Sequence, residues 1–149
     1  MKKIIIKTIY SIAFILVTSA VNAQTATLTI IGNKTGVPSA ITSSELKSIF
    51  KGEKQRWSNG TKISIALLKT STSGGKSICK KVYNLSSDEV NKYWLALVFQ
   101  GKAEAPLFFN SASDLEAYVA QNPGTIGIID RSTESADLKI VSLNGQKSF

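Results

Sequence analysis

Histidine is absent from the 149 residues, and cysteine and methionine occur once each. Without histidine the chain lacks the commonest general base near neutral pH and the commonest zinc ligand. A single thiol, Cys79, can neither close an intramolecular disulfide nor build a thiolate metal centre. Carboxylates are few as well, ten against eighteen Lys and Arg, and they are scattered. Glu45, Glu89 and Glu116 each stand three residues after Thr42, Ser86 and Ser113, the spacing of a capping box. No acid–base pair, activated nucleophile or metal-ligand spacing is left over. The expectation is a non-enzyme with no catalytic residues, no metal and no cofactor. The lysines bring the formal charge to +8 without gathering in one stripe, which argues against a nucleic-acid partner. There is no internal repeat, long linker or low-complexity tract.

Long hydrophobic runs are missing too. Ile9 to Val17 is too short to span a bilayer. It follows Lys2, Lys3 and Lys7 and precedes Val21-Asn22-Ala23, the order of a basic region, an apolar region and a small-residue cleavage site. Residues 1–23 are therefore expected to be a secretory signal, with Gln24 as the mature start and a periplasmic or secreted location. No cysteine follows the apolar run, so a lipid anchor is not expected. Removing 23 of 149 residues, three of them lysines, leaves 126 residues at a formal charge of +5. Residues 24–149 suit one domain, and a chain of this size buries roughly two-thirds of its unfolded surface without a disulfide staple.

What is present is an alternation of strands and helices. Ala26 to Ile31 reads as a strand in which Leu28 and Ile30 alternate with threonines. Gly32 to Ile41 reads as a loop, with Gly36 and Pro38 as punctuation. A helix over Ser43–Lys51 starts at the Thr42/Glu45 box, buries Leu46, Ile49 and Phe50, and stops at Gly52 in a left-handed C′ position. Trp57 pins the next loop to the core, Asn59-Gly60 turns the chain, and Lys62 to Leu68 is a strand. Lys69 to Ser77 is a polar loop opening a helix that runs to about Tyr83, with Cys79 buried and inert between Ile78 and Val82.

A second capping box, Ser86 and Glu89, starts a helix whose inward stripe is Val90, Tyr93, Trp94, Leu97 and Val98, ended by Gly101. Tyr93 and Trp94 are expected in the core. Phe108-Phe109, in a loop or extended segment, are expected to pack beneath it. Ser113 and Glu116 are expected to cap a fourth helix, inward through Leu115, Tyr118 and Val119 and stopped by Asn122-Pro123-Gly124. Strands follow at Thr125–Asp130 and Asp137–Leu143, and the polar tail is expected to fray. The fold class is α/β: a three-layer sandwich with a mixed, mostly buried sheet between helices.

Three stretches carry a family resemblance. Ser44-Glu45-Leu46, Ile49-Phe50, Gly52, Trp57, Gly60 and Ile63 resemble the segment S-E-L-x-x-I-F-x-G-x-x-x-x-W-x-x-G-x-x-I of phosphate-type substrate-binding proteins of ABC transporters, in the type 2 periplasmic-binding-protein superfamily. Tyr93-Trp94, Phe99, Gly101 and Pro106 resemble the family's Y-W-x-x-x-x-F-x-G-x-x-x-x-P. Pro123-Gly124, Ile126 and Gly127 resemble its P-G-x-I-G. The resemblance implies one lobe of a fold that in the family has two lobes and a ligand cleft between them. No second glycine-rich oxyanion loop precedes Leu28, so half of the family's site is missing.

The stretch with most chemical promise is Lys69 to Ser77. A helix start offers free N–H groups and the positive end of a dipole to an anion. Lys69, Ser71, Ser73, Gly74, Gly75 and Lys76 are the candidate oxyanion ligands, with Thr72 and Ser77 as further hydroxyls and the glycines leaving room for backbone approach. Gly75-Lys76-Ser77 resembles the end of a Walker A loop. Thr70 stands where the first glycine of that motif is required, which excludes a nucleotide-binding loop. The family carries R-x-x-x-S-G-T here, and Lys69, Ser73, Gly74 and Gly75 occupy those positions. Lysine for arginine removes the bidentate fork, and glycine for threonine removes a hydroxyl. The expected function is weak binding of phosphate or a related oxyanion for an ABC-type uptake system, with that transporter's membrane component as partner. The alternative is an envelope protein-interaction module that keeps the fold without the ligand.

Overall fold

The computed structural model describes residues 26–149. The expected signal segment, its cleavage after Ala23 and the mature start at Gln24 lie outside the described residues. Strands β1 (Thr29–Asn33) and β5 (Thr125–Ile129) are buried at all five positions each. Side chains alternate between faces along a strand, so uninterrupted burial means that both faces are covered. These strands are neighbours inside a five-stranded sheet of order β4-β3-β5-β1-β6, with β3 at Ser64–Leu68, β4 at Leu107–Phe109 and β6 at Leu138–Ile140. β3 runs parallel to β4 and β5, whereas β1 is antiparallel to β5 and β6. The sheet is mixed and mostly buried, as expected.

The first strand begins and ends later than Ala26–Ile31: Thr27, ahead of it, is exposed, and Thr29, its first residue, is buried. Thr29, paired with Ile129, is 3% exposed because both faces of β1 are covered. The expected loop after it contains β2 (Ala40–Ile41), which pairs in parallel with β7 (Ser142–Leu143). The single strand expected over Asp137–Leu143 is therefore two strands in two sheets. Buried Val141 stands between them, its N–H donating to the Ile30 carbonyl at 2.9 Å. The tail does not fray: Leu28 and Phe149 exchange backbone hydrogen bonds of 2.9 and 3.0 Å.

Helix α1 (Ser43–Phe50) buries Leu46, Ile49 and Phe50. Thr42 Oγ1 accepts the Glu45 N–H at 3.2 Å. The return half of the expected box is not made, because the Glu45 carboxylate pairs with Lys54 instead. Gly52 has φ +75°, the left-handed stop that its position requires. Trp57 is buried, and its Nε1 donates to the Gly124 carbonyl at 2.9 Å.

Helix α2 (Ser73–Ile78) continues into a π-helical segment, Cys79–Tyr83, which ends on left-handed Asn84 at φ +54°. Helix α3 (Ser87–Phe99) starts with a complete capping box between Ser86 and Glu89. Val90 and Trp94 are buried on its inner side, and Tyr93 packs edge-on against Trp94 at 5.8 Å. Val98, expected on that stripe, is 44% exposed and lines an open groove between α3 and β4.

Helix α4 (Ala112–Gln121) is capped two residues earlier than expected. Ser111, not Ser113, accepts the Asp114 N–H, at 3.2 Å. Glu116 is no capping partner; its Oε2 accepts from Arg131 Nη2 at 2.7 Å. Leu115 and Val119 are fully buried over Gly127, where an added Cβ would stand 2.7 Å from Leu115 Cδ2. Phe108 and Phe109 lie on β4, the extended alternative of the expectation, and half-buried Phe109 packs against Tyr118 with ring centroids 5.3 Å apart. No helix among the described residues is long and apolar enough to cross a membrane.

Candidate functional site

The parallel strands β3, β4 and β5 all point their carboxyl ends to one edge of the sheet. Open α/β sheets bind ligands outside that edge. Lys69, Asn110 and Asp130 are the residues that follow the three strands, and α2 and α4 both begin there.

The loop from β3 to α2 is tied by its own backbone. The Lys69 N–H donates to the Phe109 carbonyl at 2.9 Å. The Lys69 carbonyl in turn accepts from the Thr72 N–H at 2.9 Å and from Thr72 Oγ1 at 2.8 Å. Thr72 caps α2, its Oγ1 accepting the Gly75 N–H at 3.0 Å. That bond satisfies one of the N–H groups a helix start leaves free. The N–H groups of Ser73 and Gly74 have no acceptor among the described residues. Behind the loop, Ser87 Oγ donates to the Thr70 carbonyl at 2.8 Å, bracing it against the start of α3.

The six candidate ligands therefore divide into two groups. Lys69, Ser71, Ser73 and Lys76 are exposed, and neither lysine enters an ion pair among the described residues. Gly74 and Gly75 are buried. A Cβ on Gly75 would overlap the Lys69 carbonyl, and one on Gly74 would overlap the Asp130 carboxylate and come within 2.6 Å of Leu68 Cδ1. The first demand on both glycines is internal packing. Any anion approaching Gly74 also meets the Asp130 side chain.

Asp130 is the residue at this edge that sequence reading missed. No motif marks it; its only signal is an acidic residue at the carboxyl end of a buried parallel strand. Arg131 follows it and bridges to α4 through Glu116 and through Ser113 Oγ at 3.3 Å. Glu116 Oε1 is buried without a partner among the described residues. The edge thus carries exposed cations, hydroxyls and free N–H groups, which suit an anion, beside the Asp130 carboxylate, which opposes it. Burial pushes the Cys79 thiol up from its ordinary range and the Tyr83 phenol well above its own, so neither ionises near neutral pH. Among the described residues no group of three or more Cys, Asp or Glu side chains converges to hold a metal ion.

No protein-family model matches the chain, and no curated protein sequence matches it. Solved structures do. An ABC-type phosphate transport receptor from Vibrio cholerae superposes with a TM-score of 0.61 at 18% identity, over 84% of this chain and 50% of that one. PstS from Borrelia burgdorferi gives 0.62 at 20% identity, over 81% and 49%. A Clostridium perfringens protein solved with bound phosphate gives 0.61 at 15% identity, over 82% and 47%. This chain spans about half the length of the solved structures it matches. The likeness establishes the fold: the chain is built like about half of a phosphate-transport receptor.

Proposed function

We propose that this chain is an exported, non-enzymatic solute-binding domain that holds phosphate or a related oxyanion weakly at the carboxyl edge of its sheet, for an ABC-type uptake system. One observation carries the reading. A helix start with two free N–H groups, flanked by Lys69, Ser71, Ser73 and Lys76, stands at the ligand-binding edge of a fold shared with half of several phosphate-linked proteins. Backbone N–H groups of Ser73 and Gly74 supply the core of the contact, and the exposed side chains add hydroxyls and charge. Affinity is weak because one lobe leaves the anion partly wet and because Asp130 repels it. A dissociation constant of roughly micromolar to millimolar follows from a handful of such contacts.

Calorimetric titration with phosphate, sulfate and a neutral control, together with amide chemical shifts, tests this. Saturable heat with phosphate at low salt and shifts within residues 69–77 are expected. Absence of both at high phosphate concentration overturns it. A second reading, an envelope interaction module without a ligand, is favoured by one feature: the Asp130 carboxylate already lies against Gly74, where an oxyanion would approach. Titration silence in a folded protein that still associates with itself or an envelope partner is the result that reading expects.

A further inference from the structure

The large hydrophobic side chains exposed among the described residues are Leu95 at 58%, Val98 at 44%, Phe99 at 83% and Leu107 at 41%. Scattered singly, such residues need no explanation. Here three lie on the last two turns of α3 and the fourth on β4, the neighbouring edge strand. Between α3 and β4 runs an apolar groove of about 230 Å³, lined by Asn91, Trp94, Leu95, Val98, Ala105 and Phe108. Concentrated exposure of this kind marks an interaction surface.

We propose that the outer stripe of α3 is a two-fold interface between two copies of this chain, packed antiparallel about Leu95. The charge pattern identifies the occupant. Asp88 stands in the first turn of α3 and Lys102 just past its end, and neither enters an ion pair among the described residues. Gly101 at φ +64° and the Lys102 N–H bond to the Leu97 carbonyl, 2.9 Å, hold Lys102 at that end. An isologous interface requires a surface complementary to itself. With Asp88 at one end, Leu95 in the middle and Lys102 at the other, the stripe meets that requirement when reversed, and the exposed Lys92 between Asp88 and Leu95 falls opposite Val98 of the second copy. Asp88 and Lys102 are equally far in sequence from Leu95. Pairing each with the other's counterpart puts Leu95 on the axis. The same register sets Phe99 opposite Asn91 of the second copy, over the groove. Each copy thus inserts its most exposed ring into the other, and both ends close with opposite charges. The stripe shares no residue with the segment 69–76 and does not depend on ligand binding.

Sedimentation velocity on the chain as processed by the producing cell, over a wide concentration range, is the test. A reversible monomer–dimer equilibrium is expected. Phe99→Glu and Leu95→Glu, both on the surface, should give folded monomers by circular dichroism. Asp88→Lys and Lys102→Asp should each raise the dissociation constant about tenfold by facing like charges, and the double reversal should restore it. A wild type that stays monomeric throughout, as a stripe used by an unlike partner would, overturns the proposal. So does a dimer indifferent to Phe99→Glu, or a double reversal as weak as either single change.

Discussion

Trp57 Nε1 donates to the carbonyl of Gly124, 67 positions away, at 2.9 Å. The bond joins the loop before β3 to the turn before β5. Gly124 holds that turn at φ +76°, with its N–H on the Thr35 carbonyl at 2.9 Å. Two of the motifs that carry the family resemblance, the one containing Trp57 and the P-G-x-I-G turn, therefore meet in one contact.

Removing the ring should be costly. Trp57→Ala is expected to lower stability by about 3–5 kcal/mol, the range for large aromatic truncations in cores. Trp57→Phe keeps most of the buried area and loses the hydrogen bond, so about 1–2 kcal/mol is expected. Denaturant midpoints check both. A Trp57→Ala midpoint at the wild-type value would contradict the packing described.

The two buried glycines of α2 should respond differently to alanine. The Cβ of Gly75→Ala would collide with the Lys69 backbone carbonyl, which is fixed by Thr72. The Cβ of Gly74→Ala meets the Asp130 and Leu68 side chains, which can turn aside. Gly75→Ala is expected to cost more than Gly74→Ala, for which overpacking predicts about 1–3 kcal/mol. Asp130→Ala should relieve part of the Gly74→Ala penalty. Additive losses in the double variant would show that the two residues do not press on each other.

Glu89 supplies a pH signature. Its carboxylate accepts the Ser86 backbone N–H at 2.8 Å, and that bond, with the Ser86 hydroxyl, holds it below its ordinary 4.5. A carboxylate whose folded value is depressed stabilises the fold above its unfolded value and loses that contribution as pH falls through the folded one. The start of α3 should therefore loosen below the ordinary glutamate range, visible as lower amide protection factors, relative to the intrinsic exchange rate at each pH, at Ser86 to Glu89. Glu89→Gln should flatten that dependence. An NMR titration midpoint for Glu89 at or above its value in urea would contradict the capping geometry.

Repeating local signals were legible in the sequence. The Ser86 box, the Gly52 and Gly101 stops and the order of strands and helices all depend on neighbours within a few residues, and Trp57 was legible as buried from its size alone. The misses have tertiary causes. Ser111 and Ser113 are equally good caps locally, and Arg131 takes Glu116 away from the start of α4. Strands β6 and β7 read as one because the bend at Val141 comes from pairing with β1 on one side and β2 on the other. Val98 follows the inward period but lines an open groove between α3 and β4. At the candidate site, the contiguous loop from Lys69 to Lys76 was visible as a motif. Asp130 was not, because only the folded sheet brings the end of β5 against Gly74.

That juxtaposition leads to the test that separates the two functional readings. The Ser73 hydroxyl and the Lys76 ammonium are exposed and pack against nothing essential, so Ser73→Ala with Lys76→Ala should leave the fold intact. A hydrogen bond to a charged group contributes roughly 1.5–3 kcal/mol, and partial exposure reduces it. The double variant should therefore weaken phosphate binding about tenfold or more by calorimetry. Attraction between exposed charges is screened, so wild-type affinity should fall as salt rises, and the double variant should show a shallower salt dependence. Asp130→Asn keeps the shape beside Gly74 and removes the opposing charge. If the edge is an oxyanion site, affinity for phosphate should rise in Asp130→Asn and sulfate should gain as well, since both lose the same repulsion. If the edge takes no anion, neither ion should shift the amides of residues 69–77 in the wild type or in Asp130→Asn, and the binding reading is then lost.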